Sequence, residues 1–325
     1  MILTSLILAL APVLIQAPSG LAYRQPQMAS EGNTVYLTFG SGNEIYFAKS
    51  VDAGRSFSSP QRVAQFSKLF LGRHRGPRIV HTAEGLIITA IVVGTSPSAD
   101  GDLLSWRSEN DGKTWSPPVK VNDSPSASEE GLQGLGANAN GLVFASWLDH
   151  RALKAKTPGA GPELYGAYSN DGGRTWSKNV RVYQSPSHSI CSCCHPNSLV
   201  TADGKIYVMF RNDLDGNRDE YVTESNNGGK TFAPPQKLGK GAWKLQACPM
   251  DGGGLALGNQ GDLVSVFRRQ STIYSTVNFQ PEQQLGTGKD AALALGRDGA
   301  YFVWTSQSGL VLRTPESRTT QLLDV

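Results

Sequence analysis

Residues 169–176 read Ser169-Asn170-Asp171-Gly172-Gly173-Arg174-Thr175-Trp176, and three other stretches of the chain follow the same eight-residue pattern. These are residues 50–57 (SVDAGRSF), 108–115 (SENDGKTW) and 225–232 (SNNGGKTF). Because they begin at residues 50, 108, 169 and 225, successive copies are 58, 61 and 56 residues apart. A repeat of this length predicts a fold made of repeated structural units.

Each position of the pattern has a physical role. The Asp or Asn at the third position can bond the backbone and hold a tight turn. The Gly at the fifth position allows a positive φ without steric cost. The aromatic residue at the eighth position is expected to enter the core. The pattern therefore predicts a stapled turn between two strands.

The pattern resembles the Asp-box of the sialidase-like (BNR repeat) β-propellers, and its four copies span most of the chain. The resemblance implies an all-β propeller fold. It says less about function, because one fold hosts many chemistries.

A second series of turns gives the number of blades. Six two-residue turns, each an acidic or amide residue followed by Gly, precede strand-like stretches. Turns of this kind join adjacent antiparallel strands. They are Glu31-Gly32, Glu84-Gly85, Asn140-Gly141, Asp203-Gly204, Gln260-Gly261 and Asp298-Gly299. We predict a six-bladed β-propeller of four-stranded antiparallel blades, forming a single domain over residues 23–325.

The strand order predicts which end of the propeller carries a site. The Asp-boxes and the Gly turns fall at the same end of the blades, the bottom face. The connections between strands two and three, and the entries into each first strand, fall at the top face. Since several of these are long, and long loops often carry function, we expect the site at the top.

Bulk composition and the N-terminus bear on location. A net charge of +3 and 18% charged residues argue against a nucleic-acid surface. Residues 1–22 carry no charged side chain, and an apolar stretch interrupted by Pro12 is too short to span a bilayer comfortably. We interpret this segment as a secretory signal cleaved after Ala22. An uncleaved membrane anchor is the alternative. A secreted or periplasmic monomer is expected.

Three arginines match positions that the family uses for substrate. Arg75 precedes the first strand of blade two, Arg211 ends the second strand of blade four, and Arg268 ends the second strand of blade five. In sialidases, an arginine triad at these positions holds the sugar carboxylate, a task that suits the forked guanidinium group. The resemblance implies an acidic glycan or another small anion as ligand. Alternatively, each arginine pairs with a neighbouring loop acid.

The catalytic residues of sialidases are not found at their places. The family's glutamate would lie where the chain has Cys194-His195-Pro196, and its tyrosine nucleophile where the chain has Lys289-Asp290. Glycoside hydrolysis usually needs a pair of carboxylates. Asp102 together with Glu130 or Asp290 is the candidate catalytic pair, and solvated loop acids are the alternative. The chain is thus either an exo-α-sialidase-type glycoside hydrolase or a non-catalytic glycan-binding propeller.

All four cysteines lie at the predicted entries into blades four and five. Cys191, Cys193 and Cys194 precede His195, and Cys248 lies in the next such segment. Because equivalent residues of neighbouring blades lie side by side, we expect Cys248 to meet the other three.

Three interpretations of the cysteines remain open. They form disulfides, as an exported protein permits; they bind Cu or Zn with His195, and with Met250 or His188 as further ligands; or they form a redox-active thiol site. The second would make the protein a non-catalytic periplasmic metal- or thiol-binding propeller.

Overall fold

A computed structural model describes residues 15, 20, 22–93, 101–124, 128, 131–156, 158–258, 260–316 and 321–323. The predicted signal segment, residues 1–22, falls almost wholly outside these residues, and so does Glu130.

The described residues form six antiparallel sheets arranged as six blades, as the turn series predicts. Blade one contains β1 (Arg24–Glu31), β2 (Thr34–Ser41), β3 (Glu44–Ser50) and β4 (Gln61–Gln65). Blade two contains β5 (Lys68–Leu69), β6 (Arg78–Thr82), β7 (Gly85–Val93), β8 (Asp102–Ser108) and β9 (Val119–Lys120). Blade three contains β10 (Gln133–Ala137), β11 (Val143–Asp149), the short helix α1 (Arg151–Lys154), β12 (Glu163–Ser169) and β13 (Val180–Tyr183).

The last three blades repeat this order without the extra strand of blade two. Blade four contains β14 (Asn197–Val200), β15 (Ile206–Arg211), β16 (Glu220–Ser225) and β17 (Gln236–Lys237). Blade five contains β18 (Gly254–Leu257), β19 (Leu263–Arg269), β20 (Thr272–Val277) and β21 (Gln283–Thr287). Blade six contains β22 (Lys289–Gly296), β23 (Gly299–Ser306), β24 (Gly309–Arg313) and β25 (Gln321–Leu323).

Most of the hydrophobic core lies between blades. Each of five buried clusters takes residues from two consecutive blades. Between blades three and four, for example, Phe144 packs in one cluster with Ile206 and Phe210. The innermost strands β1, β6, β10, β14, β18 and β22 contact one another in that order around the axis. Burial of apolar surface between sheets therefore sets the radial arrangement.

The Asp-boxes have the hydrogen bonds that the pattern predicts. In the third box, Asp171 accepts bonds from the Thr175 backbone N–H at 2.9 Å, the Thr175 hydroxyl at 2.6 Å and the Ser169 hydroxyl at 2.7 Å. The Gly173 N–H donates to Ser169 Oγ at 2.8 Å, with Gly173 at a φ of +81°. The box thus holds the turn between strands three and four.

The aromatic residue of each later box packs toward the preceding blade. Trp115 meets Phe47 of blade one edge-on, with ring centroids 5.4 Å apart, and Phe232 meets Phe144 of blade three at the same distance. Trp176 donates from Nε1 to the Ser105 hydroxyl of blade two. The box therefore closes its turn and also fills the space between blades.

Within the described residues, no helix has the length and apolar character needed to cross a membrane.

We expect Asp171→Ala to lower the free energy of unfolding by about 1–2 kcal/mol, because three donors lose their acceptor. The measurement is urea unfolding followed by tryptophan fluorescence. Asn170→Ala is the control, since Asn170 is an exposed residue of the same turn. Equal losses in the two variants would contradict a stapling role for Asp171.

Candidate functional site

The top of the axis gathers several interblade connections and strand ends. Strands β15 and β19 end there at Arg211 and Arg269, and the entries into blades two, four, five and six converge beside them. We call His74, Asp251 and Asp290 the hub group, because one ligand atom from each lies within 4.8 Å of those of the other two. Asp290, predicted from sequence as a catalytic acid, therefore lies at the hub.

Asp290 is held by the side chains of Arg73 and His74. Arg73 Nη2 lies 2.7 and 2.8 Å from the two carboxylate oxygens, and Arg73 Nε also donates to Oδ1 at 3.1 Å. His74 Nε2 lies 2.8 Å from Oδ1. Burial alone would raise the pKa of Asp290, but the bonds from His74 and Arg73 outweigh it and lower the pKa to about 2. Asp290 is therefore ionised across the physiological range.

Asp251 lies beneath Asp290 and is fully buried. Its Oδ2 accepts the Asp290 backbone N–H at 3.1 Å and lies 2.6 Å from Arg268 Nε. Its Oδ1 has no hydrogen-bond partner among the described residues. Burial raises the pKa of Asp251, and Arg268 opposes that rise without cancelling it. The two aspartates of the hub group thus have pKa values shifted in opposite directions.

The backbone at the hub adopts left-handed conformations at residues other than glycine. His74 has a φ of +57° and Asp290 a φ of +58°. Such conformations are uncommon for residues with a Cβ and cluster at functional sites. Here the bond from Asp290 N–H to Asp251 helps to hold this conformation.

The blade-five entry can approach blade four closely because it is rich in glycine. A Cβ on Gly252 would lie 2.5 Å from the His195 carbonyl oxygen and 2.7 Å from its ring. Gly252 therefore lies directly against His195, and the preceding Asp251 reaches Cys194 through its backbone N–H. The His195 ring in turn stacks on the His74 ring, with centroids 4.6 Å apart. Burial lowers the pKa of His195 well below its usual range, so this imidazole is neutral.

Two of the three predicted substrate arginines lie together. Arg211 and Arg268 both lie over the Trp243 ring, at 5.2 and 5.1 Å from its centroid. Arg211 Nη2 also donates to the Arg268 carbonyl at 3.0 Å. Arg75 lies in the connection from blade one to blade two, where its Nη1 donates to the Arg73 carbonyl at 3.3 Å.

The Arg211 side chain is only 1% exposed and faces protein groups. Its remaining donors bond the carbonyls of Asp251 and Arg218, and Nη2 lies 2.7 Å from Glu220. Burial raises the pKa of Glu220 to about 7 despite the neighbouring guanidinium. In this structure Arg211 acts as an internal ion-pair partner of Glu220. Binding of a ligand carboxylate by the three arginines stays a prediction.

The other predicted catalytic acids lie in different settings. Asp102 begins β8, accepts a bond from Asn122 Nδ2 at 2.9 Å and pairs with Lys120 at 3.0 Å. These contacts tie together strands three and four of blade two. Glu130 falls outside the described residues. Of the two predicted acids that the structure describes, Asp102 and Asp290, Asp290 belongs to the hub group.

Three of the four cysteines converge. Cys191 Sγ lies 3.6 Å from Cys193 Sγ and 3.4 Å from Cys194 Sγ, and all three side chains are buried. The expectation that Cys248 joins them is wrong, because Cys248 is exposed and lies outside this group of sulfurs. The blade-five segment does reach the cysteines, but through Met250, which packs on them, and Asp251, whose N–H points at Cys194 Sγ. The two segments are therefore in contact as expected, but through residues two and three positions after Cys248.

His195 also lies apart from the cysteine sulfurs. Its ring faces His74, and its nitrogens are not among the grouped ligand atoms. Each of the four cysteines is a free thiol in this structure.

Comparison with known proteins places the chain in a family. Residues 44–266, more than half of the chain, match the family model described as a BNR repeat-like domain. The chain belongs to this family. No curated protein sequence matches this BNR propeller at a significant level.

Several solved structures share the fold of this BNR propeller. An α-L-arabinanase from Penicillium chrysogenum, complexed with arabinobiose, is 16% identical with a TM-score of 0.61, over 94% of this chain and 98% of that one. An intramolecular trans-sialidase from Ruminococcus gnavus is 11% identical with a TM-score of 0.56, over 94% and 95%. A Hadza microbial sialidase is 15% identical with a TM-score of 0.55, over 87% of this chain and 63% of that one. At these identities the likeness concerns the fold alone.

Sequence reasoning did not assign Arg73, Asp251 or Glu220 to the site of the BNR propeller. For Glu220 the sequence does contain a signal. Arg211 and Glu220 flank the loop that begins at Asn212, and the two residues are opposite each other in the ladder of β15 and β16. Asp251 stands three residues after Cys248, in the segment that carries the predicted contact. Arg73 adjoins His74 and Arg75 but has no motif of its own.

A polar cavity of about 100 Å³ adjoins the hub group. Its lining includes Gln25, Gln27, His74, Arg78 and His195. Amide, imidazole and guanidinium groups can each bond a hydroxyl or an anionic oxygen. The site therefore combines an ionised carboxylate with a polar recess that suits a small hydroxylated ligand.

We expect Arg211→Gln to lower the free energy of unfolding by about 3–5 kcal/mol at pH 8, because Glu220 would be left buried without a countercharge. The loss should be smaller at pH 5. The pKa of Glu220 lies above its usual value, so the folded state binds a proton more tightly than the unfolded chain, and protonation removes the unpaired charge. Urea unfolding at both pH values measures this difference.

The control is Arg62→Gln, which breaks an exposed pair with Glu44 and should change stability little at either pH. A pH-independent loss in Arg211→Gln, no larger than that of the control, would contradict an internal ion-pair role.

Proposed function

We propose that this BNR propeller is an exported glycoside hydrolase-type protein that takes an acidic glycan at the top of its axis. The observation that carries the proposal is the hub group, in which Asp290 is kept ionised beside His74 and a polar cavity. The uncharged, apolar N-terminal segment supports export.

The proposed role of Asp290 follows from its contacts. A carboxylate ionised throughout the physiological range can stabilise the positive charge that develops on a sugar ring, or attack it. Arg73 and His74 fix the direction of the carboxylate by three short contacts. Asp251 positions Asp290 from below through the backbone bond at 3.1 Å. His74 supplies the group that exchanges a proton next to the carboxylate.

The acidic character of the proposed glycan rests on the cations around the hub group. Arg73 is about one-third exposed, and Arg75 is partly buried in the same connection. A guanidinium group binds carboxylate oxygens in a forked geometry. The fold is shared with an arabinanase and with sialidases, which supports a glycan as ligand but leaves the sugar open.

The test of catalysis is a panel of chromogenic glycosides, including a sialoside, a glucuronide and an arabinofuranoside, with the full chain. We expect turnover of an acidic member, and a fall in kcat/KM of about 10²–10⁴-fold in Asp290→Asn, since the charge is lost while the shape is kept. Because the pKa of Asp290 is about 2, its protonation should not lower activity above about pH 3.

Asp298→Asn is the matched control, because Asp298 is an exposed aspartate of the same blade that bonds Tyr301 in the turn after β22. It should keep the activity of the wild type. Binding of acidic oligosaccharides by calorimetry forms a second arm. The proposal is refuted if no member of the panel is turned over and none is bound. An equal loss of activity in Asp298→Asn would also refute it.

A further inference from the structure

The three buried cysteines form a compact triangle of sulfur atoms on one turn of chain. The Cys191–Cys193 and Cys191–Cys194 separations are 3.6 and 3.4 Å, and all three sulfurs lie within 4.8 Å of one another. Three sulfurs about 2.3 Å from a common metal ion would be roughly 3.8–4.0 Å apart. A disulfide bond needs about 2.05 Å. The triangle is therefore close to the size that one shared ion requires.

The surroundings of the triangle are those of a soft-metal site. The partly buried Met250 packs against the three cysteines, and its side chain carries a thioether. Met250 has a φ of +51°, so its backbone is held in an uncommon conformation where it meets the sulfurs. Among the described residues, the ligand atoms grouped here are sulfur alone, with no imidazole or carboxylate. Thiolate and thioether donors together favour monovalent copper over zinc.

Outer contacts hold the triangle in place. The Asp251 backbone N–H donates to Cys194 Sγ at 3.4 Å, and the Cys191 backbone N–H donates to the Arg211 carbonyl at 3.0 Å. Hydrogen bonds that hold the ligand groups in position are the usual second layer of a metal site.

We propose that Cys191, Cys193 and Cys194 bind one monovalent copper ion, with the Met250 thioether packed over it as a weaker donor. The site is distinct from the hub group, and the inference holds whether or not Asp290 acts on glycans. A disulfide between any two of the three cysteines would leave the third as a single buried thiol. One ion uses all three.

Binding should release protons. The ligand of a metal ion is the thiolate and not the protonated thiol. Copper must displace the thiol protons, so its affinity should rise with pH.

The test uses the full chain, reduced and kept without oxygen, with Cu(I) alone as the probe and a chromogenic Cu(I) chelator as competitor. We expect one copper per chain. Cys191→Ser and Cys194→Ser should each lower the affinity by more than the roughly 10–100-fold that loss of an outer-layer contact costs. Met250→Leu should give a smaller loss, and Zn(II) should bind more weakly than Cu(I).

Cys248→Ser is the matched control, since Cys248 is exposed and outside the triangle, and it should keep the wild-type affinity. If the serine variants do not fold, X-ray absorption of the copper-loaded wild type decides, with three sulfur neighbours expected. The proposal is overturned by no binding to the reduced protein, by binding that survives both serine variants, by equal loss in Cys248→Ser, or by oxygen and nitrogen neighbours in the absorption spectrum.

Discussion

Apolar packing between neighbouring blades is the interaction on which the rest of this structure depends. From blade one to blade six, consecutive blades pack against each other, and the clusters so formed take side chains from both sheets. Blade one also has a small cluster of its own around Leu37, Phe39 and Tyr46. Because the sheets are held radially, their inner ends meet on one axis, and only that convergence brings residues as distant in sequence as Arg73 and Asp290 into contact.

The two faces of the propeller are built on different principles. The bottom face is stapled by repeated local hydrogen bonds, each within eight residues of sequence, so it is fixed independently of the loops above. The top face has few repeats and is organised by long-range polar contacts, such as those of Arg211 with the carbonyls of blade five. This separation allows polar and strained groups to accumulate at the hub without weakening the turns that define each blade.

The fold was predictable from the sequence because its signals are local. A turn that needs Asp or Asn at one position and Gly two residues later has the same sequence pattern in every blade that contains it. The six Gly turns predicted the number of blades. The site was predictable only in part. Asp290 and the three cysteines reach the predicted end, whereas Cys248 does not reach its predicted partners. The entry into blade five is an irregular segment in which Met250 turns left-handed, and no periodicity specifies which of its residues points inward.

The arginines show the same limit. Position at the end of a strand places Arg211 at the top of blade four, but the direction of its side chain depends on Glu220, its neighbour across the ladder. A buried ion pair is set by what surrounds it, and these surroundings come from blades four and five together. Sequence position alone could not separate a substrate-facing arginine from an internal one.

The contact of Arg73 and His74 with Asp290 spans more than 200 positions of the chain, from an early connection to the start of the last blade. During synthesis, therefore, the carboxylate arrives long after the groups that orient it. An incomplete product lacking its final sheet would lack the carboxylate with which Arg73 pairs. The hub group is therefore complete only after blade six has been synthesised and has packed against the rest of the propeller.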